Sequence, residues 1–535
     1  MDKTEIQAVE DERDNVGQNC GEITYLKGLH LRVITAALCM YLFLQNIEIP
    51  IVVTALVSIT DDIKGYGRVH WIVSAYLLGY VGVLIIIAKL SDIFGRKPIL
   101  IPVFTIFIVF SAACGAAQSI EQLIIFRAFQ GIGAAGYALC AIIFVELVPE
   151  EKYAKYSASL SFVYALSLSL GPIVGGAINE HGSWRWVFLL NIPAGIPALA
   201  IILFYLPNGF PFHGMQGRRN AGCQSSQQGI RQLDVVGATL LLLGTLSLAT
   251  SLQEAGHSHA WKSAFTIALL SSSAVLWVLF LIWERKVTQK SGLVQPVFPW
   301  RFIRNRAWMG LLLNGIFLGA VWFVTVLELP QRFEIVNGSS PLQAGIHLLP
   351  FTFASPIGGV IVTIIAKAKV PIVYLLLAGS LLQIVAYTLL ATLPVSTHIR
   401  RAEYAYQVLA GMGVGANIGL GTLMTPFAVE KRDKAVALGA LPQFRIVGGV
   451  VGVAIATTVM TNHVNTSLQH ILTPSQIVSV LRSPQSIQSS SAEVRGPVVF
   501  AMASGFRSIM FILCGLSVGQ FFASTLIWKR TQIVV

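Results

Sequence analysis

Residues 372–393 have the sequence IVYLLLAGSLLQIVAYTLLATL, a stretch without a single charged side chain. An α-helix rises about 1.5 Å per residue, so about 20 apolar residues match the roughly 30 Å hydrocarbon core of a bilayer. Similar stretches recur along the chain, among them 235–252 and 33–56, the latter interrupted by Glu48. A soluble protein cannot bury so many such segments, and the repetition predicts an all-α polytopic membrane protein.

The overall composition leads to the same prediction. Of the 535 residues, 55% are hydrophobic and only 12% are charged, and the mean hydropathy is +0.70. Soluble domains carry about twice that charged fraction, roughly a quarter of their residues. The net charge of +12 is therefore interpreted by its distribution across a bilayer, not as a sign of nucleic-acid binding.

Apolar windows between clusters of charges and turn residues predict fourteen transmembrane helices. The predicted spans are 30–57, 70–90, 98–117, 123–146, 157–178, 185–206, 234–252, 264–283, 308–328, 344–366, 371–393, 403–428, 435–460 and 499–528. The predicted divisions are a disordered cytoplasmic tail (1–29), an N-terminal six-helix bundle (30–206), a cytoplasmic loop (207–233), a central helix pair (234–283), a basic cytoplasmic loop (284–307), a C-terminal six-helix bundle (308–528) that includes an external loop (462–498), and a cytoplasmic tail (529–535).

The connecting segments predict the orientation of the chain. Most Lys and Arg residues fall on one side of the predicted spans, which identifies that side as cytoplasmic, and an even number of spans places both termini there. The sequons at Asn337 and Asn465 fall on the opposite side and are candidate glycosylation sites. The plasma membrane is the first expectation for location and the vacuolar membrane the second.

Cofactor and metal chemistry find no support in the sequence. None of the six cysteines forms a CxxC pair, and most lie in apolar segments, which argues against a disulfide framework or a zinc site. The chain also contains no GxxxxGK[ST] pattern for ATP, no His-rich metal cluster and no nucleophile constellation within the spans. We expect neither a cofactor nor an enzymatic activity. Because the sequence has no ATP motif, we expect any energy-dependent activity of the protein to use an ion gradient.

Three of the charged residues within the predicted spans are candidate functional residues. Burying Arg127 costs up to roughly 2.5–3.5 kcal/mol, so it is expected to face the interior and pair with a carboxylate or backbone carbonyls, or else to snorkel to the outer interface. Glu48 lies deeper, and a carboxyl in apolar surroundings can exchange protons near neutral pH. Glu48 is therefore a candidate for proton coupling, for binding a cationic substrate, or for helix packing. Arg445 either mirrors Arg127 or snorkels towards the cytoplasm.

Two glycine patterns predict local helix geometry. Gly411, Gly415 and Gly419 have GxxxG spacing, which predicts close packing of the twelfth span on a neighbour. The Gly-Pro run at 171–176 interrupts backbone hydrogen bonding, which permits a kink or forms a packing groove.

The loop AKLSDIFGRKP at 88–98 joins the second and third spans and contains Asp92, Gly95, Arg96 and Lys97. By itself it is a positively charged loop with a tight turn at Gly95. The loop resembles the signature loop of the major facilitator superfamily, from which it departs at Ala88, Ser91 and Ile93.

Four further stretches resemble motifs of the same superfamily. The run Gly171, Pro172, Gly175 and Gly176 is similar to the fifth-helix motif of its proton-coupled antiporters. The other three are FRAFQGIG at 126–133, WRWVFLLNIP at 184–193 and IEIPIVVTAL at 47–56, where the family has Asp at position 48 and usually Thr at position 50. Together they resemble the fourteen-span drug:proton antiporter group, and most closely its fungal efflux pumps.

The resemblance implies a function and roles for these residues. It implies that two six-helix bundles rock about a central cavity and export small amphipathic organic molecules in exchange for protons. Glu48 and Arg127 would couple protons, and the Asp92–Arg96 loop would set the balance between conformations. Candidate aromatic residues of the cavity, which favour a hydrophobic or weakly cationic cargo, are Trp71, Tyr76, Phe162, Tyr164, Phe317, Trp322 and Phe323. An importer of siderophores or basic amino acids, and a non-transporting membrane sensor, remain as alternatives.

Overall fold

The computed structural model describes residues 26–63, 68, 70–210, 233–255, 260–289, 294–393, 399–430, 433–473, 476 and 492–529. These residues are almost entirely helical, since a backbone in lipid must satisfy its own hydrogen bonds. The helices are α1 (Gly28–Ile63), α2 (His70–Phe94), α3 (Arg96–Ala116), α4 (Ile120–Ala134), α5 (Gly136–Glu146), α6 (Tyr153–His181), α7 (Trp186–Leu189), α8 (Asn191–Tyr205), α9 (Val235–Glu254), α10 (Ala264–Gln289), α11 (Arg301–Arg304), α12 (Arg306–Ile335), α13 (Pro341–Lys367), α14 (Ile372–Ala391), α15 (Arg401–Ala428), α16 (Lys434–Leu468) and α17 (Ala492–Thr525).

The prediction of an all-helical, multi-pass membrane protein is confirmed. Within the described ranges, thirteen helical segments are long and apolar enough to cross a bilayer; α4 and α5 together form one of them, and α7 and α8 together form another. The predicted span 157–178 lies in α6, whose continuous apolar stretch, Phe162–Ile178, is shorter. The exact count of fourteen spans stays a prediction.

Two predicted loops are shorter than expected. Both predicted boundaries of the external loop 462–498 are wrong, because α16 continues to Leu468 and α17 begins at Ala492. Both predicted boundaries of the basic loop 284–307 are also wrong, because α10 continues to Gln289 and α12 begins at Arg306. A hydropathy window ends where the apolar core ends, whereas a helix can continue with polar residues into the interface. Most of the predicted tail 1–29 and of the loop 207–233 lies outside the described residues.

Helix packing produces two groups of neighbours. In the first half, α1 packs on α6 and α8, and α4 packs on α2 and α3. In the second half, α12 packs on α16 and α17, and α15 packs on α13 and α14. The α2–α16 and α6–α13 contacts connect the two groups. Helices α9 and α10 pack on each other, and α10 leaves most of its apolar side chains exposed, as a lipid-facing helix would.

Close helix approach depends on glycine. On α15, an added methyl group at Gly415 would overlap the backbone carbonyl of Ser355 on α13, and one at Gly411 would overlap that of Phe351. The predicted tight packing is therefore confirmed at these two positions. Backbone atoms cannot move aside as a flexible side chain can, so neither site has room for a larger residue.

We expect Gly415→Ala to destabilise the α13–α15 contact by about 1–3 kcal/mol, because overpacking forces backbone shifts. The measurement is the heat-induced unfolding midpoint of the purified chain in detergent. The matched control is Gly515→Ala on α17, where a methyl group would meet no atom within 4 Å. A Gly415→Ala variant as stable as the Gly515→Ala control would contradict the packing described.

Candidate functional site

A buried ion pair joins α1 to α4. The Nη1 of Arg127 lies 2.7 Å from Oε1 of Glu48, and both side chains are fully buried. The Nε of Arg127 also donates to the carbonyl oxygen of Ile72 on α2, at 2.9 Å. Arg127 thus faces the interior and pairs with both kinds of expected partner, and it does not snorkel. A role for the pair in proton coupling stays a prediction.

Three neutral polar side chains extend the network around this pair. Asn191 on α8 donates to Oε2 of Glu48 at 2.7 Å, and Gln130 accepts from Nη1 of Arg127 at 2.9 Å. Ser111 on α3 accepts from both amides, at 3.0 Å from Gln130 and 2.7 Å from Asn191. Sequence reasoning missed these three. Gln130 and Asn191 stood within recognised motifs, whereas Ser111 carried no signal.

Tyr76 on α2 contacts both the ion pair and the central cavity. Its ring centre lies 4.3 Å from Cζ of Arg127, which is a cation–π distance. Its hydroxyl donates to the carbonyl oxygen of Gln45 at 3.1 Å, and the side chain lines the cavity. Phe188 lies near the same guanidinium, at 5.7 Å.

A central cavity of about 460 Å³ lies between the two groups of helices. Its wall is mainly apolar and aromatic, as in most small-molecule sites. On α2 the lining residues come from the first half of the helix, Val73–Tyr80, and on α12 from the second half, Trp322–Glu334. The cavity therefore lies in the half of the molecule opposite the Asp92–Arg96 loop, which lies at the far end of α2.

The aromatic wall was predicted in part. Four of the seven candidates line the cavity, namely Tyr76, Tyr164, Trp322 and Phe323. Trp71, Phe162 and Phe317 are not among the lining residues; Phe162 is exposed and Phe317 faces Gly519. The sequence analysis missed Tyr80 and Tyr137. Neither residue lies in a recognised motif, and the helical periodicity of the sequence does not distinguish them from packing residues.

Arg445 on α16 lines the same cavity. Its side chain is buried, and Cζ lies 5.7 Å from the ring centre of Tyr164. The predicted alternative of snorkelling towards the cytoplasm is therefore wrong. Among the described residues no carboxylate lies within ion-pair distance of this guanidinium, in contrast to Arg127.

The predicted loop 88–98 is helical except at Gly95, because α2 ends at Phe94 and α3 begins at Arg96. An ion-pair cluster of Asp92, Arg96 and Glu146 lies at this α2–α3 junction. Nη1 of Arg96 lies 2.5 Å from Oδ1 of Asp92, and Nη2 lies 2.6 Å from Oε1 of Glu146 at the end of α5. Gly95 has a φ of 96°, the positive range that glycine tolerates, and it allows the sharp turn between the two helices. Glu146 lies outside the loop, so no sequence pattern identified it.

Two lysines extend the contacts of this loop. Nζ of Lys97 donates to the carbonyl oxygen of Leu206 at the end of α8, at 2.7 Å. Nζ of Lys89 donates to Oε1 of Gln295, in the segment before α11, at 2.9 Å. The loop is thereby connected both to the first group of helices and to the segment that precedes the second.

Direct contacts close the half of the molecule that contains this loop. The backbone amide of Ile85 on α2 donates to Oε1 of Gln443 on α16 at 3.1 Å. Nearby, a methyl group at Gly439 would come within 2.8 Å of Ala88, so the two helices approach tightly. Helices α2 and α16 therefore meet at this end, and the cavity opens between the two groups towards the other end.

The glycine-proline run of α6 forms a packing groove for α1. A methyl group at Gly171 would lie 2.6 Å from Pro50, and one at Gly175 would overlap Thr54. Pro172 lines the cavity, and Gly176 is half-buried. Helix α6 remains continuous through this run. These contacts support the interpretation of the run as a packing groove. A role of the run in antiport stays a prediction.

The C-terminal end of α1 is held by the WRWVFLLNIP motif at 184–193. Oδ2 of Asp62 accepts hydrogen bonds from the Trp184 indole at 2.9 Å and from Arg185 at 2.7 Å. The bonds from Trp184 and Arg185 hold the pKa of Asp62 below its usual range. This motif therefore anchors the connection before α8 to the end of α1.

The two sequons differ in accessibility. Asn465 lies exposed within α16, and not in a loop as predicted. Asn337 is half-buried between α12 and α13, and the hydroxyl residue of its sequon, Ser339, is buried.

Comparison with known proteins extends the sequence resemblance. The family model described as Major Facilitator Superfamily matches residues 34–453, which is most of the chain. The chain belongs to the major facilitator superfamily. This membership makes it a membrane transporter by family and not an enzyme. Together with relatives that are named efflux pumps, it confirms the resemblance to the drug efflux transporters of the superfamily.

Several named relatives of this superfamily member come from fungi. The MFS-type transporter FPY5 of Fusarium mangiferae is 38% identical over 95% of this chain and 85% of its own length. The rubrofusarin-specific efflux pump aurT of Gibberella zeae is 29% identical over 84% of this chain and 80% of its own. Among solved structures, a bacterial homologue of the lysosomal transporter Spinster, in an inward-facing and unoccupied conformation, has a TM-score of 0.59 at 16% identity. That likeness covers 95% of this chain and 100% of the other, and it shows the shared fold.

We expect Glu146→Gln to lower the thermal unfolding midpoint of the purified transporter, since a charged hydrogen bond contributes about 1.5–3 kcal/mol. The matched control is Glu121→Gln, because Glu121 forms an exposed ion pair with Arg68. Such exposed pairs contribute at most about 1 kcal/mol. Equal midpoints for the two variants would contradict a stabilising role of the Arg96 cluster.

Proposed function

We propose that this transporter exports small amphipathic organic molecules in exchange for protons by alternating access. The single observation that carries the proposal is the fully buried Glu48–Arg127 pair, which shares Tyr76 with an aromatic cavity large enough for such a molecule. Relatives named as efflux pumps and multidrug transporters support export. The cargo is taken to be a drug, toxin or secondary metabolite.

Protonation of Glu48 would change the balance of the buried network. The ionised carboxylate compensates the guanidinium of Arg127, and removing one partner of a buried pair costs about 3–5 kcal/mol. A proton on Glu48 leaves Arg127 with only neutral partners, so the contacts among α1, α4 and α8 become weaker. This change favours the alternative conformation, and release of the proton restores the network.

The loop of Asp92, Gly95, Arg96 and Lys97 would act as the conformational switch. Its ion pairs lie at the closed end of the molecule, beside the contact between α2 and α16. A cycle that opens this end has to separate Ile85 from Gln443. The four residues of the α6 run, Gly171, Pro172, Gly175 and Gly176, would serve as the groove along which α1 and α6 adjust.

The topology forms part of the same proposal. We propose fourteen spans, with α6 as the fifth, arranged as two six-helix bundles plus the central pair α9 and α10. The termini and the basic loops would lie in the cytoplasm, and the plasma membrane is the proposed location. With this orientation the cavity described above is on the outer side.

The coupling test uses proteoliposomes that contain the native chain, Glu48→Gln or the exposed-site control Glu121→Gln at matched insertion. We expect an inside-acid pH gradient to drive uptake of an amphipathic tracer by the native chain and the control. Glu48→Gln should lose gradient-driven uptake and retain tracer–tracer exchange, because glutamine fits the network but does not carry the proton.

Other outcomes would change the proposal in defined ways. Gradient-driven uptake by Glu48→Gln would remove Glu48 as the proton carrier. Uptake only with the opposite gradient would identify a proton-coupled importer. Binding of tracer without any flux would favour a membrane sensor.

The orientation is tested by cysteine labelling in intact cells. We expect Asn465→Cys to react with a membrane-impermeant maleimide added outside, and Lys367→Cys to react only after permeabilisation. Both side chains are exposed, and each lies near the C-terminal end of its helix, Asn465 on α16 and Lys367 on α13. The proposed topology puts these two helix ends on opposite sides of the membrane. The unsubstituted chain provides the background. The reverse pattern would invert the proposed topology, and it would exclude Asn337 and Asn465 as glycosylation sites.

A further inference from the structure

Arg445 is a buried cation on the cavity wall. It lies on α16 at the level of Gly319 on α12, where a methyl group on the glycine would overlap its backbone carbonyl. The only other charged residue among those described as lining the cavity is Glu334. Glu334 is fifteen residues further along α12, which is about 22 Å at 1.5 Å per residue. It is therefore too distant to neutralise Arg445.

The surroundings of Arg445 suit an aromatic ligand. Tyr80, Tyr137 and Tyr164 line the cavity together with Arg445, and Tyr164 packs on Trp322 with ring centres 5.5 Å apart. The phenol hydroxyls can donate or accept hydrogen bonds, and their rings offer flat apolar surfaces. The same wall thus combines one cation, several hydroxyl groups and stacking surfaces.

The charge of Arg445 makes an anion the favoured occupant. A guanidinium stays protonated in proteins, and a buried charge without a counter-charge is costly. Its planar fork of N–H donors matches a carboxylate, which can accept two parallel hydrogen bonds. A cationic ligand would be repelled at the same position.

We propose that Arg445 binds the carboxylate of a singly charged, aromatic organic acid, and that such acids are the preferred cargo. This inference rests on the proposed export function and specifies its substrate class. It replaces the sequence-based expectation of a hydrophobic or weakly cationic cargo. The aromatic body lies against the tyrosine and tryptophan rings, and the acidic group is directed towards α16.

The test compares 2-naphthoate with its uncharged methyl ester at pH 8, where the acid is ionised. Binding to the purified full chain in lipid nanodiscs is followed by quenching of tryptophan fluorescence, since Trp322 lines the cavity. We expect the native chain to bind the acid at least about tenfold more tightly than the ester, the preference expected from a charged hydrogen bond. Arg445→Gln should remove that preference, and Arg445→Lys should keep part of it.

The matched control is Arg68→Gln, which removes the same charge from an exposed position and should leave the preference unchanged. Equal binding of acid and ester by the native chain, or binding of neither, would overturn the inference. So would an equal loss of both ligands in Arg445→Gln, which would assign the residue to folding or to the conformational cycle.

The same proteoliposomes separate this inference from the proposed function. An Arg445-dependent preference for the acid without gradient-driven flux would keep the binding site and reject proton-coupled export. Gradient-driven flux of acid and ester at equal rates, with equal affinities, would keep export and reject the substrate class.

Discussion

A charge in a hydrocarbon environment needs a partner, and this requirement determines the centre of the first helix group. Arg127 is compensated by Glu48, by a backbone carbonyl of α2 and by Gln130, and Asn191 holds the second oxygen of Glu48. The network joins elements that lie far apart in sequence. Without it, α4 would carry an uncompensated guanidinium in the middle of a helix bundle.

Backbone proximity is the second constraint. Glycines at 171, 175, 411 and 415 let helices approach more closely than a larger side chain would allow. In lipid, dispersion contacts of this kind replace much of the hydrophobic driving force that assembles soluble cores. The tight crossings α1–α6 and α13–α15 thus frame the cavity between them, with Pro172 and Leu348 on its wall.

The sequence allowed prediction of features that depend on local patterns. Apolar runs located the helices, and the charge of Arg127 predicted either an interior partner, a carboxylate or backbone carbonyls, or snorkelling to the interface. The specific pairing with Glu48 was not predicted. Partners contributed from distant positions could not be predicted. Glu146 completes the Arg96 cluster from the end of α5, and Ser111 sits between two amides, although nothing in their local sequence distinguishes them. Helix ends were also misplaced, because hydropathy marks the apolar core and not the last hydrogen-bonded turn.

Tyr76 lines the cavity and is also in direct contact with Arg127. Any molecule that displaces this ring alters the electrostatic environment of the ion pair, and any change in the charge of the pair alters how firmly the ring is held. Thermodynamic reciprocity makes the two effects equal in free energy. Because only the Tyr76 ring separates the cavity from Arg127, cavity occupancy and the charge state of the ion pair affect each other directly, without a long relay of intervening residues.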